Sequence, residues 1–391
     1  MAQCENVAPL GHPPPHKEGA LPRGAAPPSS PPRYPDTLLA ARRAGAQFSL
    51  ADFSVPRAAL LGQGQFGACV WGGGPGRRWR ATGVCGPFPP ASFLTALRPP
   101  PRAPAGQVLR VVERASRAQL VLKKVSKQAL LEEGAVRQFQ REVEIHCRLF
   151  HPHIARMFAY FHDEASCYLL LELAELGSLY SRIQAGRLPE REAAGLFRQL
   201  ASAVAHLHAR GVLHRDIKPE NVFLGRGADG GAVVKLGDFG WSIVKRAASK
   251  RTTLCGTIEY LPPEVCKGAE AQLREGRALV GGMSLGAEYD EAFDAYTLGA
   301  LLYEMLVGHS PYAGPAYAGV PGAMAEAPLV GRILAGSFLI PVALRLPSDV
   351  QTLIRALMAK EPGARPSVAA VLGHPWLLRH AGATPRAEWD Y

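Results

Sequence analysis

The chain has 391 residues, 47% of them hydrophobic and 20% charged, and carries a formal net charge of +11. This composition is typical of a globular protein, and the length allows two lobes with tails. The sequence contains no run of roughly 18 apolar residues and no C-x-x-C pair, so it predicts neither a membrane span nor a zinc or disulfide framework. A reducing compartment, the cytosol or nucleus, is expected.

The basic charge could indicate nucleic-acid binding, so its location matters. Residues 72–107 hold five Arg and no acidic residue, and residues 1–47 hold five Lys or Arg against three Asp or Glu, which leaves about +4 elsewhere. Aromatic residues are not interleaved with this charge, as base stacking would require. Direct nucleic-acid binding is therefore not favoured, and a basic chromatin-binding module is kept as an alternative.

The first half of the chain predicts a tail followed by a small lobe. Residues 1–46 are dominated by Pro, Ala, Gly and Ser, which predicts a disordered tail or a polyproline docking segment. From residue 48, short β-branched and apolar runs predict strands, and residues 135–150 have the spacing of an amphipathic helix. Residues 48–174 are thus predicted to form a β-rich lobe with one main helix.

The second half is mainly helical. Residues 175–379 contain several amphipathic segments, the clearest at 190–211, and residues 380–391 are read as a C-terminal tail. The expected fold class is α+β, with a small β-rich N-lobe and a larger α-helical C-lobe.

Three stretches interrupt this pattern. Residues 72–107, 266–288 and 314–328 are rich in Gly, Ala, Pro or Arg and lack periodicity. They are interpreted as insertions in loops, where added length costs little free energy, or equally as translated introns.

A glycine-rich segment, LGQGQFG at Leu61–Gly67, lies between two strand-like runs. Its glycines Gly62, Gly64 and Gly67 would let backbone N–H groups close over the oxygens of a triphosphate. The segment alone is weak evidence, because glycine-rich hairpins are common. A dinucleotide-binding fold would require a helix directly afterwards, and none is predicted.

A lysine and a glutamate follow in the predicted small lobe. Lys123 ends a strand-like run, and Glu142 lies on the amphipathic helix. An ion pair between them would hold the lysine against the α- and β-phosphates.

The most specific motif is HRDIKPEN at residues 214–221. Asp216 can accept a proton from a substrate hydroxyl, Lys218 can neutralise a γ-phosphate, and Asn221 can ligate Mg²⁺. Asp238 of the D-F-G triplet, 22 positions after Asp216, supplies a second metal ligand.

Together these motifs resemble the eukaryotic protein kinase fold over residues 48 to 379. The resemblance also includes the P-P-E triplet at 262–264, Asp294 and Arg365. Within it, DFGWS at 238–242 and KRTTLCGTIEYLPPE at 250–264 are similar to the Aurora family. The resemblance implies a Ser/Thr protein kinase that uses ATP and Mg²⁺.

The resemblance further implies roles around the activation segment. Thr253 would be the activating phosphorylation site, and its phosphate would pair with Arg215. Thr257 would help seat the substrate, and Glu264 and Arg365 would form an ion pair that supports the substrate-binding loop.

The nucleotide pocket is also implied by the resemblance, with Leu171 as gatekeeper and the backbone of residues 172–174 as hinge. Glu220 would select Arg two positions before the phosphoacceptor. Cys69, Val121 and Phe223 stand where the family usually has Val, Ala and Leu. The implied ATP-binding set is Leu61, Gly62, Gly64, Gly67, Cys69, Val121, Lys123, Leu171, Glu172, Ala174, Glu220, Asn221, Phe223 and Asp238.

The implied cellular role is mitotic. Substrates would carry basic motifs and include histone H3 and kinetochore or spindle proteins, and an activator protein would dock on the N-lobe. The expected location is the nucleus and cytoplasm, and the spindle, centrosome or chromosomes in mitosis. A catalytically weak kinase-fold scaffold is the other alternative, disfavoured because every group needed for metal, phosphate and proton transfer is present.

Overall fold

The computed structural model of the chain describes residues 49–54, 60–63, 106–245, 251–253, 257–274, 284–312, 326–336 and 338–382. The chain divides into two units, 1–32 and 33–391, and all described residues belong to the second. The first unit and the predicted tail at 1–46 lie outside the described residues. None of the helices within these ranges is long and apolar enough to cross a membrane.

The N-terminal lobe is built on one antiparallel sheet. Its strands are β1 (Phe53–Ser54), β2 (Leu60–Gln63), β3 (Gly106–Glu113), β4 (Gln119–Ser126), β5 (Met157–His162) and β6 (Ser166–Glu172). Strands β1 and β2 both pair with β3, and β4, β6 and β5 follow in that order. In β4, Leu120 and Leu122 are buried on one face, so the alternation of the strand turns Lys123 to the other face.

Two helices follow β4, namely α1 (Lys127–Glu132) and α2 (Val136–His146). Phe139 and Val143 lie four residues apart on α2 and are both buried in a hydrophobic cluster with strand residues. This apolar stripe fixes the rotation of α2 and leaves Glu142, its neighbour, to face the lobe interior.

Gly106 and Gln107 belong to β3, which differs from the predicted insertion at 72–107. Gln107 pairs with Lys124 of β4 and with Gln63 of β2. The sequence could not place this boundary, because a Gly-Gln pair after a Pro- and Ala-rich run carries no strand signal of its own. Residues 72–105 lie outside the described residues.

The C-terminal lobe is mainly helical. Its helices are α3 (Leu179–Gln184), α4 (Glu190–His208), α5 (Pro263–Arg274), α6 (Ala292–Val307), α7 (Glu326–Ala335), α8 (Ser348–Leu357), α9 (Val368–Val371) and α10 (Pro375–Arg379). Short strands pair as β7 (Val212–Leu213) with β10 (Ile243–Val244), β8 (Val222–Arg226) with β9 (Ala232–Leu236), and β11 (Arg251–Thr253) with β12 (Ser284–Tyr289).

Helix α6 is the centre of this lobe and is buried on every side from Phe293 to Leu306. A helix that is apolar all round is stable only inside a core. Gly299 lets α8 approach closely, because a Cβ there would lie 2.7 Å from the Cβ of Leu357. The core of the lobe thus holds α6 rigidly, and with it Asp294 near its N-terminus.

The structure also differs from the predicted loop at 266–288. Helix α5 continues to Arg274, and β12 begins at Ser284. The Gly- and Ala-rich composition hid these elements from a reading of periodicity. Of the third predicted insertion, residues 314–325 lie outside the described residues, and α7 begins at Glu326.

Candidate active site

Lys123 meets two carboxylates where the small lobe faces the large one. Its Nζ lies 2.7 Å from Glu142 Oε1 and 3.5 Å from Asp238 Oδ1. Burial disfavours the charged ammonium, but the carboxylates of Asp238 and Glu142 outweigh this and raise the pKa of Lys123. The lysine is therefore a fixed cation at neutral pH.

Helix α2 carries two further contacts that the motifs did not reveal. Gln138 Nε2, one turn before Glu142, donates to the carbonyl of Gly240 at 2.9 Å. The His146 ring, one turn after Glu142, lies 4.5 Å from the Phe239 ring. The spacing of four residues on either side of Glu142 was the available signal, since such residues share one face of a helix.

His146 is a buried, neutral member of this group. Burial lowers its pKa to about 4. Its Nε2 lies 2.6 Å from the carbonyl of Ala155, which can only accept, so Nε2 carries the hydrogen. Phe239 also lies 5.0 Å from the ring of His214. This contact links α2 to the start of residues 214–221, the predicted catalytic loop.

The residues predicted to serve proton transfer are close together. Asp216 Oδ2 accepts a hydrogen bond of 2.8 Å from Asn221 Nδ2 and lies 3.3 Å from Lys218 Nζ. Lys218 Nζ donates to Thr257 Oγ1 at 2.8 Å, and Thr257 Oγ1 donates to Asp216 Oδ1 at 3.4 Å. Asp216 is thus oriented from three sides by side chains of 214–221 and of the activation segment.

Asp294 of α6 anchors the loop that carries Asp216. It is fully buried and accepts bonds of 2.9 Å from the backbone N–H groups of His214 and Arg215 and from His208 Nε2. Burial alone would raise the pKa of Asp294, but these partners lower it, so the carboxylate is ionised.

The predicted metal ligands fit a divalent cation. Asn221 uses its NH₂ group for the carbonyl and the carboxylate of Asp216, which leaves its amide oxygen as a donor for a metal. The Asp238 carboxylate is 47% exposed, and the charge of Lys123 holds its pKa below the usual range. An amide oxygen and an ionised carboxylate are the ligands that Mg²⁺ prefers.

The predicted base pocket is partly described. Val121 of β4 pairs with Leu171 of β6, the predicted gatekeeper. The side chain of Glu172 is occupied, since it lies 2.7 Å from Lys235 Nζ and accepts from the backbone N–H of Arg156 at 3.0 Å. The backbone N–H of Glu172 is occupied as well, since it donates to the carbonyl of Arg156 at 2.8 Å. Neither the side chain nor the N–H of Glu172 is therefore left for a hinge contact.

Three more residues were predicted for the hinge and the floor of the pocket. Leu173 is buried and Ala174 half-buried directly after β6. Phe223, on β8, faces Gly237, where a Cβ would lie 2.9 Å from its ring. The large residue at 223 is thus accommodated by the absence of a side chain at 237.

Val108 is a neighbour of Lys123 that the sequence motifs did not single out. Val108 of β3 pairs directly with Lys123, and cross-strand partners share one face of a sheet. Gly62 of β2 pairs with Val108 from the other side, and Leu61 lies in the same strand. Gly64, Gly67 and Cys69 lie outside the described residues.

The substrate side is braced by an internal ion pair. Arg365 donates to Glu264 through two bonds of 2.8 and 2.7 Å, and its side chain has no exposed surface.

The predicted phosphorylation site, Thr253, is described only by its backbone. That backbone pairs with Ser284 in the β11–β12 ladder, while the side chain of Thr253 lies outside the described residues.

Acidic side chains lie around Tyr260, three residues after Thr257. Its hydroxyl donates to Glu304 of α6, a residue the motifs did not single out. Burial raises the pKa of Glu304 to about 7, and the neighbouring carboxylates of Glu220 and Glu259 add to the shift, while the bond from Tyr260 opposes it.

Comparison with known proteins agrees with this geometry. The protein kinase domain family matches residues 104–377, a match that begins two residues before β3. An Aurora kinase of Schizosaccharomyces pombe is 35% identical over 286 residues, 72% of this chain and 70% of that protein. Aurora kinase B of Mus musculus is 34% identical over 281 residues, 72% of each chain. Aurora kinase A-A of Xenopus laevis is 35% identical over 292 residues, 74% of this chain and 63% of that protein, a little under two thirds of its length. The chain therefore belongs to the Aurora family of Ser/Thr protein kinases.

Proposed function

We propose that Asp216 accepts the proton of a substrate Ser or Thr hydroxyl while the hydroxyl oxygen attacks the γ-phosphorus of ATP. The bond between that phosphorus and the β,γ-bridging oxygen breaks, and ADP leaves. Lys218, whose Nζ lies 3.3 Å from Asp216 Oδ2, would neutralise the transferred group. The observation that carries the proposal is the convergence of Lys123, Glu142 and Asp238 beside this loop.

The protein kinase family uses ATP and a divalent metal generally, and Asn221 and Asp238 would hold Mg²⁺ here. When bound, the ion would offset the charge of the phosphates. Lys123 would contact the α- and β-phosphates, and Glu142 would keep it in place at 2.7 Å.

A preference for basic substrates is the second part of the proposal. Glu220 is exposed beside the catalytic loop, and Glu259 and Glu304 lie near it around Tyr260. Three carboxylates that share one region favour a guanidinium. An Arg two positions before the phosphoacceptor would bind there.

Phosphorylation of Thr253 by a second copy of the chain would activate the enzyme. Arg215 is the cation that would bind this phosphate. It directly precedes Asp216, and its Nε donates to the backbone carbonyl of Trp241, three residues after Asp238. A phosphate that pairs with Arg215 would order the segment through charge-assisted hydrogen bonds.

The cellular role proposed is regulation of mitosis, on the strength of the family. Histone H3 and kinetochore or spindle proteins would be substrates, and an activator would dock on the N-terminal lobe. The enzyme would act in the nucleus and cytoplasm and, in dividing cells, at the spindle, centrosome or chromosomes.

The test is phosphorylation of a Ser peptide with Arg two positions before the Ser, using the full chain, labelled ATP and Mg²⁺. We expect Asp238→Asn to abolish transfer, since it removes the charge beside Lys123. Asp349→Asn is the matched control, because Asp349 pairs with Arg379 at the far surface of the C-terminal lobe. Transfer by Asp238→Asn at the wild-type rate, or no transfer by the wild-type chain, would refute the proposal.

A further inference from the structure

Tyr289, at the end of β12, contacts the catalytic loop through its hydroxyl. Arg215 Nη1 donates to Tyr289 Oη at 2.6 Å, and Arg215 Nε donates to the carbonyl of Trp241 at 2.7 Å. Tyr289 is only 4% exposed, and its ring lies 5.1 Å from the ring of Phe293 at the start of α6. The hydroxyl is therefore held at a fixed point by the core of the C-terminal lobe.

The backbone of Tyr289 contacts a different segment. In the β11–β12 ladder it pairs with Arg251, two residues before Thr253. One residue thus joins the catalytic loop, through its side chain, to the activation segment, through its main chain.

Arg215 is a residue whose conformation needs support. Its φ is +68°, in the left-handed region that disfavours residues with a Cβ. Such a backbone persists only where the surroundings over-determine it. The N–H of Arg215 is fixed by Asp294, and its guanidinium by Trp241 and Tyr289.

We propose that Tyr289 is a positioning residue for phosphoryl transfer. Its hydroxyl holds Arg215, and through it the adjoining Asp216, in the active arrangement while Thr253 carries no phosphate. This inference rests on the proposed Thr253 switch, because a phosphate and the Tyr289 hydroxyl would serve the same guanidinium. A phosphate is the stronger, charged acceptor, so the hydroxyl becomes dispensable once Thr253 is modified.

The experiment compares Tyr289→Phe with the wild-type chain, each prepared without phosphate on Thr253 and fully phosphorylated there, as checked by mass spectrometry. Phe keeps the ring and removes only the acceptor oxygen. In the unphosphorylated chain we expect kcat to fall about tenfold, with KM for ATP unchanged within about twofold, as for loss of one bond to a charged group. In the phosphorylated chain the loss should be below about threefold.

Tyr303→Phe is the matched control, since Tyr303 is also a buried tyrosine of this lobe and donates to the carbonyl of Leu339 at 2.7 Å. It should leave kcat unchanged in both forms. An unchanged kcat for unphosphorylated Tyr289→Phe, or an equal loss in both forms, would overturn the proposal, because a purely structural role gives an equal loss. If phosphorylation does not change the wild-type kcat, the Thr253 switch fails, and the comparison of unphosphorylated chains still decides the role of Tyr289.

Discussion

Phe223 and Gly237 form a complementary pair in the region proposed for the adenine base. The ring of Phe223 occupies space that a side chain at 237 would need, with a Cβ-to-ring distance of 2.9 Å. We expect Gly237→Ala to push the ring toward the base and weaken ATP binding about tenfold, because overpacking costs roughly 1–3 kcal/mol. The dissociation constant of ATP, measured by calorimetry, tests this.

The double variant Gly237→Ala with Phe223→Leu serves as the control, since the smaller Leu frees the space. It should restore most of the affinity, because neighbouring sites couple by roughly 0.5–3 kcal/mol. Additive effects of the two substitutions would mean that the residues do not share the pocket.

Glu304 would give the proposed substrate preference a pH dependence. Burial raises its pKa to about 7, so the carboxyl is neutral below that pH and negative above it. Affinity for a cationic Arg should therefore rise as the pH increases from 6 to 8. We expect KM for an Arg-containing peptide to fall about threefold relative to its Ala counterpart, because the buried Glu304 carboxylate would act on the Arg through space and not as a direct ion pair. Glu304→Gln should remove this dependence, and a preference that weakens with rising pH would contradict the assignment.

The residues that sequence reasoning found and those it missed differ in kind. Asp216 and Asp238 belong to short motifs that follow each other in a recognisable order, and Lys123 was singled out through its predicted ion pair with Glu142. His146 and Tyr289 belong to no short motif, and only the rotation of a helix and the pairing of β12 bring the His146 ring against Phe239 and the Tyr289 hydroxyl to Arg215. Contacts between residues so far apart in the chain cannot be inferred from a short stretch of sequence.

At the level of elements, Arg365 ties the start of α5 to the turn after α8. It donates to Glu264 and to the carbonyl of Ala292 and lies 4.9 Å from the ring of Tyr296. Replacing Arg365 by Ala leaves the Glu264 carboxylate without its partner. We expect the free energy of unfolding to fall by about 3–5 kcal/mol, measured by urea denaturation.

Arg379→Ala is the comparison, because Arg379 also pairs with a carboxylate, Asp349 at 2.6 Å, but is 51% exposed. That change should lower the free energy of unfolding far less than Arg365→Ala does, since solvent screens the pair. Equal losses for the two variants would show that the burial of Arg365 does not matter.

Elements were predictable where periodicity was strong. The amphipathic patterns placed α2 and α4, whereas α5, β12 and the start of β3 lie in Gly- and Ala-rich stretches that carry no periodic signal. The secondary structure of such segments is set by pairing with residues far away in the chain. Gly106, for example, is part of a strand because it pairs with Val125 of β4.

For the whole molecule, the closeness of β2 and β3 predicts the effect of a deletion. Gln63 and Gln107 are cross-strand partners, so removing residues 68–105 leaves five residues to join them, a normal hairpin loop. We expect kinase activity within about twofold of the full chain and an unchanged or higher melting temperature, because a shorter connection loses less entropy on folding.

Loss of ATP binding on this deletion would contradict the interpretation as an insertion, because it would mean that the N-terminal lobe needs residues 68–105 to bind ATP. Mass spectrometry of the native protein is the complementary measurement. Peptides from 68–105 would identify a true insertion, and their absence would identify a translated intron.

The buried carboxylate of Asp294 has a consequence for hydrogen exchange. It accepts the backbone N–H groups of His214 and Arg215, and α6, which carries it, is enclosed by the core. Amide hydrogens bonded in this way exchange with solvent deuterium only when the surrounding structure opens. Although residues 214 and 215 lie in a loop, their amides should exchange as slowly as those of α6. The catalytic loop and the central helix would then open together, as one cooperative unit.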